Sequence, residues 1–488
     1  MSDNWFDDRA WSISGNKEGE SLRIAKENYC KGASSSGRSV VLPKSTHEIS
    51  QLLLSNPDAA IAVVCGGHSS SNVSTWPFLV PDGDGDDVSK LTIILDMKHM
   101  SSVSVNKETN EATVGGGVLF RQLAESCAKV NGALPIGTGA TVGVCGYVLN
   151  GGISGYFGRR LGMLGQRVTS MEIVLANGDI NILSPESIGE DGKLFRACLG
   201  AGSAMGVVTS LTLKMEDDSS FKTGGSLVCA CANKTTAKPF LEKALRFLNR
   251  YVLPSPSTSM EIVITSDFTV ICSFMFFDSF DGVPADFVQP LRDGAQACNV
   301  PVVADYVSSH KSWFDAASSL WEVIAGMKGN PLVRMDHCIG THGTPSDQVV
   351  EFLLDKWVGD FLEKAPFSLV EIRSLGGAAS ERNNLPTGNA KCSFFADMIV
   401  SYDASILNTE DKSSLLEEVH GIISEAKNQS GLLVDFSGTH CQSDDPAGIL
   451  PSGDDIFGGR ENHEFIRTTK RKYDPKNRFC FHPFTHLI

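Results

Sequence analysis

The sequence predicts an α+β fold with an antiparallel sheet covered by helices, and three observations carry that expectation. Alternating runs at Ser259 to Thr265, Thr269 to Phe277, Ser368 to Arg373 and Phe394 to Tyr402 have the two-residue period of half-buried strands. Helical stretches at Lys238 to Tyr251, Ser346 to Phe361 and Ser413 to Gln429 are interleaved with them. Ahead of this region the chain is rich in glycine, and behind it the chain turns aromatic and turn-rich. These changes of texture divide the protein into residues 1–215, 216–431 and 432–488.

At 488 residues the chain is long enough for two or three domains, and its 42% hydrophobic and 20% charged residues are those of a globular protein. The 57 acidic against 42 basic residues give a formal charge of −15, which repels nucleic acid phosphates and anionic membranes, so neither is an expected partner. The first residues, Met1 to Asp8, lack the basic start and apolar core of a signal peptide. With thirteen cysteines scattered from Cys30 to Cys480 without CxxC spacing, the expectation is a cytoplasmic protein with reduced thiols.

The elements follow in order. Ser45 and Glu48 form a capping-box signal ahead of a short helix, and a strand from Ala60 to Val64 comes next. That strand runs into Gly66-Gly67-His68-Ser69, where two glycines let a backbone approach a ligand closely and their amides can cradle a pyrophosphate. Strands are predicted at Leu91 to Met97 and around Ala112 to Val114, then a helix from about Leu119 to Val130. From Leu134 to Gly165 glycine recurs among Ile136, Val142, Val144, Val148, Leu149 and Ile153, a texture suited to a backbone lying along an extended ligand. A hairpin with a type I′ turn at Asn177-Gly178 and a strand from Val207 to Met215 complete this part. Near the C-terminus a helix is expected to reach Lys472, within a chain end that docks against the body.

Several stretches, in order and over nearly the whole chain, resemble one family: GGHS at Gly66, NGGISGYFGRRLGMLGQRVTSMEIVLANGD from Asn150, LGAGSAMGVVTSLTLKM from Leu199, VEIRSLGGAAS from Val370 and NHEFIRTTKRKYDPKNRF from Asn462. They resemble the berberine-bridge-enzyme-like FAD-linked oxidases of the vanillyl-alcohol oxidase and p-cresol methylhydroxylase superfamily. The resemblance implies a two-subdomain FAD-binding domain of the p-cresol methylhydroxylase type, a substrate domain whose sheet roofs the isoalloxazine, and a C-terminal segment that returns to the FAD domain.

It also implies roles for residues. His68 falls where the family joins a histidine to the flavin's 8α-methyl carbon, a link that raises the flavin's potential and prevents its loss. Gly66, Gly67, Ser69, Gly137, Thr138, Gly139, Val142, Gly143, Gly146, Gly151, Gly206, Val208 and Asn462 fall at cofactor-contacting positions. Val142 occupies the place where side-chain size governs access of dioxygen, and Asn462 that of an amide at the flavin's pyrimidine edge. An asparagine there is equally a helix N-cap.

The chain departs from the family in two respects. Where many members attach the flavin a second time through a cysteine, this chain has Gly139, and Cys145 lies six residues later at a glycine position, so a single covalent bond is expected. Ser70, Leu161 and Phe457 stand where members acting on phenols often have tyrosines, which implies a more apolar pocket.

The reaction the resemblance implies is hydride transfer from an apolar small molecule of the natural-product kind to FAD, with dioxygen reoxidising the cofactor to give hydrogen peroxide. The base must lie within hydrogen-bond reach of the substrate. Asp397, an acid interrupting the apolar run Phe394 to Tyr402, takes the family's inward acidic or amide position, and desolvation there makes a carboxylate a stronger base. An alternative enzyme class is an FAD-containing cyclase that orients a polyene for cycloaddition without net redox change. A third is a flavin- or ligand-binding protein without catalysis. Gly137-x-Gly139 lacks the helix and acidic residue of a dinucleotide fingerprint. Neither His337 with His342 nor His482 with His486 has zinc-ligand company, so no metal is expected.

Overall fold

A computed structural model describes residues 38–67, 92–322, 332–362, 368–381, 385–403, 409–434 and 452–480. His68, Ser69, Ser70, His482 and His486 lie outside the described residues. Within them, the chain begins with β1 (Arg38–Val41), a helix over Thr46–Ser55, β2 (Ala60–Val64) and β3 (Thr92–Asp96). Ser45 caps the helix, its hydroxyl accepting from the Glu48 amide at 3.2 Å, and the Glu48 carboxylate accepts from the Lys44 amide at 2.7 Å. The three strands form a parallel sheet in the order β1-β3-β2. Ile49 and Leu53 of the helix pack on Ile61, Ile93 and Leu95 of the sheet.

Next come β4 (Val103–Asn106), β5 (Glu111–Gly115), a helix over Phe120–Ala128, β6 (Gly132–Ala133), β7 (Val168–Val174), β8 (Ile180–Leu183), β9 (Val207–Lys214) and β10 (Glu216–Asp217). An antiparallel five-stranded sheet has the order β4-β5-β9-β7-β8, and β6 pairs with β10. The hairpin joining β7 to β8 is where predicted, but its turn is different. Gly178 has φ +85° while Asn177 is not left-handed, and the Gly178 amide donates to the Leu175 carbonyl at 2.9 Å. This is a type I turn closed by a left-handed glycine rather than a type I′ turn, because three residues rather than two separate the last paired positions.

The remainder supplies β11 (Phe221–Ala230), β12 (Thr258–Thr265), β13 (Thr269–Phe277), β14 (Val302–Asp305), β15 (Leu332–Thr341), β16 (Leu369–Ser374), β17 (Phe394–Asp403) and β18 (Leu433–Val434). They form one antiparallel sheet in the order β14-β11-β13-β12-β16-β17-β15-β18. Helices over Lys234–Phe247, Pro284–Ala297, Asp347–Phe352 and Thr409–Lys427 accompany it, and Phe240, Leu241 and Val419 bury with Ile262, Phe274, Met398 and Val400 of one sheet face. The stretch predicted as a single helix from Ser346 to Phe361 is a short α-helix continued by a π-helical segment over Leu353–Phe361. The opposite face, with Met275, Phe277, Cys338 and Phe395, packs into the same core as Phe157, Leu164 and Trp313. Helices thus cover one side of the large sheet, and the glycine-rich segment and its neighbours meet the other. No helix among the described residues is long and apolar enough to cross a membrane.

Candidate active site

β2 ends in Cys65-Gly66-Gly67, and this turn lies backbone to backbone against the glycine-rich segment. A Cβ on Gly66 would stand 2.2 Å from the Gly143 nitrogen, and one on Gly143 would stand 2.4 Å from the Cys65 Sγ. Only glycine fits either place. Gly67 then takes φ +67°, a conformation that costs other residues about 1 kcal/mol or more. Gly143 is fixed from its far side, where the Phe120 amide donates to the Val142 carbonyl and the Val144 amide to the Val118 carbonyl, each at 2.9 Å. The structure therefore brings Gly66, Gly67 and Gly143 together, immediately before His68 and Ser69.

Along the same segment Gly137, Thr138 and Val142 are half-buried and Gly139 is buried, whereas Gly146 is exposed with nothing within 4 Å of a built Cβ. Gly151, at φ +92°, packs on Met163 and Thr387. Gly206 stands just ahead of β9, Val208 joins the core that holds Val144 and Val148, and its neighbour Val207 joins the core of the three-stranded sheet. Cys145 is buried, and burial, reinforced by neighbouring Cys65, pushes its thiol well above its usual range. It is held as an unreactive thiol.

Asp397 lies on the sheet face that looks toward this segment. It is fully buried and stands opposite Cys338 of β15 and Glu371 of β16, so the three share one face. In the neighbouring row Ser273, Glu261, Arg373 and Phe395 stand opposite one another in turn. The Arg373 Nε donates to Glu261 at 3.2 Å, and its Nη2 donates to the Glu371 carboxylate. Gly155 sits directly over this group, since a Cβ there would be 2.7 Å from Glu261 Oε2. Tyr147 and Tyr156 face the same group, and burial pushes both phenols up, so they act as proton-bearing donors. Tyr147 donates to the Ile153 carbonyl.

The expectation of a more apolar pocket meets a correction here. Leu161 and Phe457 are 1% and 0% exposed and belong to the packed core, while the sheet face carries the carboxylates and guanidinium just described. Glu261, Glu371 and Arg373 were not singled out from the sequence. The alternation Val370-Glu371-Ile372-Arg373 was the available signal, because it sets two charged residues on one face of a strand.

Asn462 is not a helix cap. The helix over Arg460–Tyr473 is capped by Gly459, and Asn462 stands in its first turn. Its Oδ1 accepts from Arg196 at 2.5 Å and its Nδ2 donates to the Phe457 carbonyl at 2.8 Å, tying this helix to the one over Gly189–Cys198. The segment is further locked by Lys470, whose Nζ donates to the Ala204 carbonyl at 2.8 Å and to Asp474 at 2.6 Å. Arg478 sends its guanidinium to the carbonyls of Ala59 and Asn56 at the threshold of β2. Among the described residues no group of histidine, cysteine and acidic side chains could hold a metal ion.

Residues 38–184 match the family model described as an FAD binding domain. The chain is 32% identical over 155 residues to (R)-6-hydroxynicotine oxidase of Paenarthrobacter nicotinovorans, a match covering 32% of this chain and 30% of the relative. It is 29% identical over 187 residues to berberine bridge enzyme-like C-1 of Nicotiana tabacum, covering 38% of this chain and 30% of the relative. The chain thus spans 30% of the length of these two curated relatives in its matched stretches. Among solved structures, the fold is similar to the oxidoreductase that catalyses the terminal step of gilvocarcin biosynthesis, with a TM-score of 0.74 at 16% identity over 93% of this chain and 96% of that one. It is also similar to the glucooligosaccharide oxidase of Acremonium strictum, which carries a 6-S-cysteinyl, 8α-N1-histidyl FAD, with a TM-score of 0.69 at 19% identity over 90% of this chain and 89% of that one. Residues 38–184 thus carry an FAD binding domain, the fold is that of the two oxidoreductases just named, and over its matched stretch the chain is a homologue of proteins named berberine bridge enzyme-like and FAD-linked oxidoreductase.

Proposed function

We propose that this protein is an FAD-dependent oxidase acting on a small molecule with an apolar body and one hydroxyl or amine handle, in specialised metabolism. Residues 1–215 and 432–488 hold the cofactor in this reading, and residues 216–431 form the roof over it. The observation that carries it is the facing of two surfaces: the glycine segment, with its backbone-to-backbone contact at Gly66 and Gly143, and the sheet face that bears Asp397.

The residues fit a flavin. At Gly66 and Gly143 two main chains meet where no Cβ fits, and Gly146 is exposed with open space at its Cβ, so an extended ligand can approach this backbone closely. His68, placed next by the chain, is the attachment point, and Gly139 leaves that bond without a second. Gly137, Thr138, Val142 and Gly151 line the same segment, Gly206 and Val208 serve the adenine half through their main chain, and Asn462 has one remaining N–H and one lone pair for the pyrimidine edge.

Bound FAD supplies the hydride acceptor, which dioxygen then reoxidises with release of hydrogen peroxide. Asp397 takes the proton from the substrate's hydroxyl or amine as the adjoining C–H bond is lost. Glu371 and Arg373 hold the charge of the wall beside it, and Val142, with its small side chain, leaves dioxygen a path. The homologues named above are redox enzymes, which favours the oxidase over the cyclase or a ligand-binding role. Denaturing the purified protein tests attachment: yellow colour should stay with the precipitate in the wild type and be lost from it in His68→Ala. Incubation with hydroxylated or aminated candidates should release peroxide, and colourless protein made with ample riboflavin would refute the proposal.

A further inference from the structure

One row of the large sheet changes from apolar to acidic along its length. Val228, Ile271, Val263, Glu371 and Asp397 stand opposite one another in turn across β11, β13, β12, β16 and β17. Partners in register point to the same face, here the one turned toward the glycine segment. The next row, Leu227, Cys272, Ile262, Ile372 and Ala396, buries with the helices on the other side. Val228, Ile271 and Val263 are only half-buried, and they stand outside the packed core that Met275, Phe277 and Phe395 share with the glycine segment. Three accessible aliphatic side chains thus form a track that leads to a carboxylate.

Glu371 can be reached from this track, because its side chain keeps 20% of its surface exposed. Its Oε2 accepts from Arg373, while its Oε1 holds no partner in the chain and is not enclosed. Arg373 is shared with Glu261, whose Oε1 accepts from the Arg373 Nε at 3.2 Å. Two carboxylates around one guanidinium leave these three residues with one negative charge in excess, which a cation seated on Oε1 completes. A neutral hydroxyl donates to the same oxygen but leaves that charge uncompensated, and a carboxylate adds to it.

Resting on the reading of this site as that of a flavin oxidase, we infer that its substrate is a protonated amine whose apolar body lies along the sheet. The ammonium donates to Glu371 Oε1, and the hydrocarbon covers Val263 and Ile271 in the direction of Val228. With strands about 4.8 Å apart, the track from Glu371 to Ile271 takes a body of about 10 Å, the length of an octyl chain. An aliphatic amine keeps its charge at neutral pH, as a lysine does, so it arrives as the cation the group lacks.

The test measures binding by calorimetry to the flavin-loaded protein, held reduced with dithionite so that no turnover occurs. The ligands are octylamine, butylamine, octan-1-ol and octanoate. Octylamine should bind at least about tenfold tighter than octan-1-ol, as a charge-assisted hydrogen bond provides, and octanoate should bind weakest. Glu371→Gln, which keeps the shape and an acceptor oxygen, should remove the preference for the amine. Val263→Ser should weaken octylamine by about threefold or more and leave butylamine unaffected, which locates the apolar body without touching a charge. Equal binding of amine and alcohol by the wild type, or an amine preference that survives in Glu371→Gln, would overturn the inference. If Glu371→Gln does not fold, the wild-type ligand series and Val263→Ser still decide it. Yellow protein that shows no preference for the amine would defeat this inference alone, whereas colourless protein would defeat the flavin reading on which it rests.

Discussion

Glu371 and Asp397 stand directly opposite each other in β16 and β17, on the sheet face turned toward the glycine segment, with Arg373 bonded to the first of them. Two carboxylates in register beside one guanidinium make a wall that can take up a proton without exposing a bare charge. Removing the Asp397 carboxylate while keeping its shape, as in Asp397→Asn, should lower kcat by about 10² to 10⁴, the usual contribution of a positioned base. Flavin content should be unchanged. Glu371→Gln should have a smaller effect, read mainly as a shift in the pH profile. Equal turnover in Asp397→Asn would remove the residue from the mechanism.

The contact between Gly66 and Gly143 predicts a coupled pair of substitutions. Gly66→Ala drives a methyl into the Gly143 nitrogen, and Gly143→Ala drives one into Cys65 and Gly66, so each separates the same two main chains. Each should cost about 1–3 kcal/mol, as overpacking does, and sharply reduce flavin attachment. Because both open one interface, the double variant should be less destabilised than the sum of the two single ones, which thermal melts in a double-mutant cycle would reveal.

Lys470 and Asp474, 4% and 2% exposed, form the staple that carries the chain's end back to β2. Asp474 also accepts from the Arg478 and Phe479 amides, each at 2.8 Å, and the Arg478 carbonyl accepts from the Ile61 amide at 2.8 Å. Lys470→Met leaves Asp474 buried without its cation and should cost about 3–5 kcal/mol, whereas Lys470→Met with Asp474→Asn should cost less. Since β2 leads into His68, the single variant should also incorporate less flavin at the temperature where the wild type is fully loaded.

The fold and the glycine side of the site were legible because their signals are local. The capping pair Ser45 and Glu48, the strand Ala60 to Val64 and the interruption of an apolar strand by Asp397 can each be read within a dozen residues. β11 escaped because Gly224 and Gly225 break its pattern, and β15 because Arg334, Asp336 and His337 dilute its apolar alternation. The Glu261–Arg373 pair could not be read at all. It depends on the register of β12 against β16, which is set by the whole sheet and not by either strand's own sequence.

His310 gives the pH dependence its sign. Its imidazole is half-buried beside Gly224, its amide donates to the Gly224 carbonyl at 2.9 Å, and burial holds it below the ordinary value of 6.5, with Asp315 opposing in part. The folded state therefore resists the proton that the unfolded chain accepts. At pH above 6.5 both states are neutral at this position and it contributes no pH dependence. As the pH falls below 6.5 the unfolded chain protonates first, so stability declines until the folded-state value is passed and then levels off. With solvent screening the decline from this one group should be under about 1 kcal/mol. In His310→Gln, melts between pH 7 and pH 5 should lose that part of the slope, and an unchanged slope would assign the acid sensitivity to other groups.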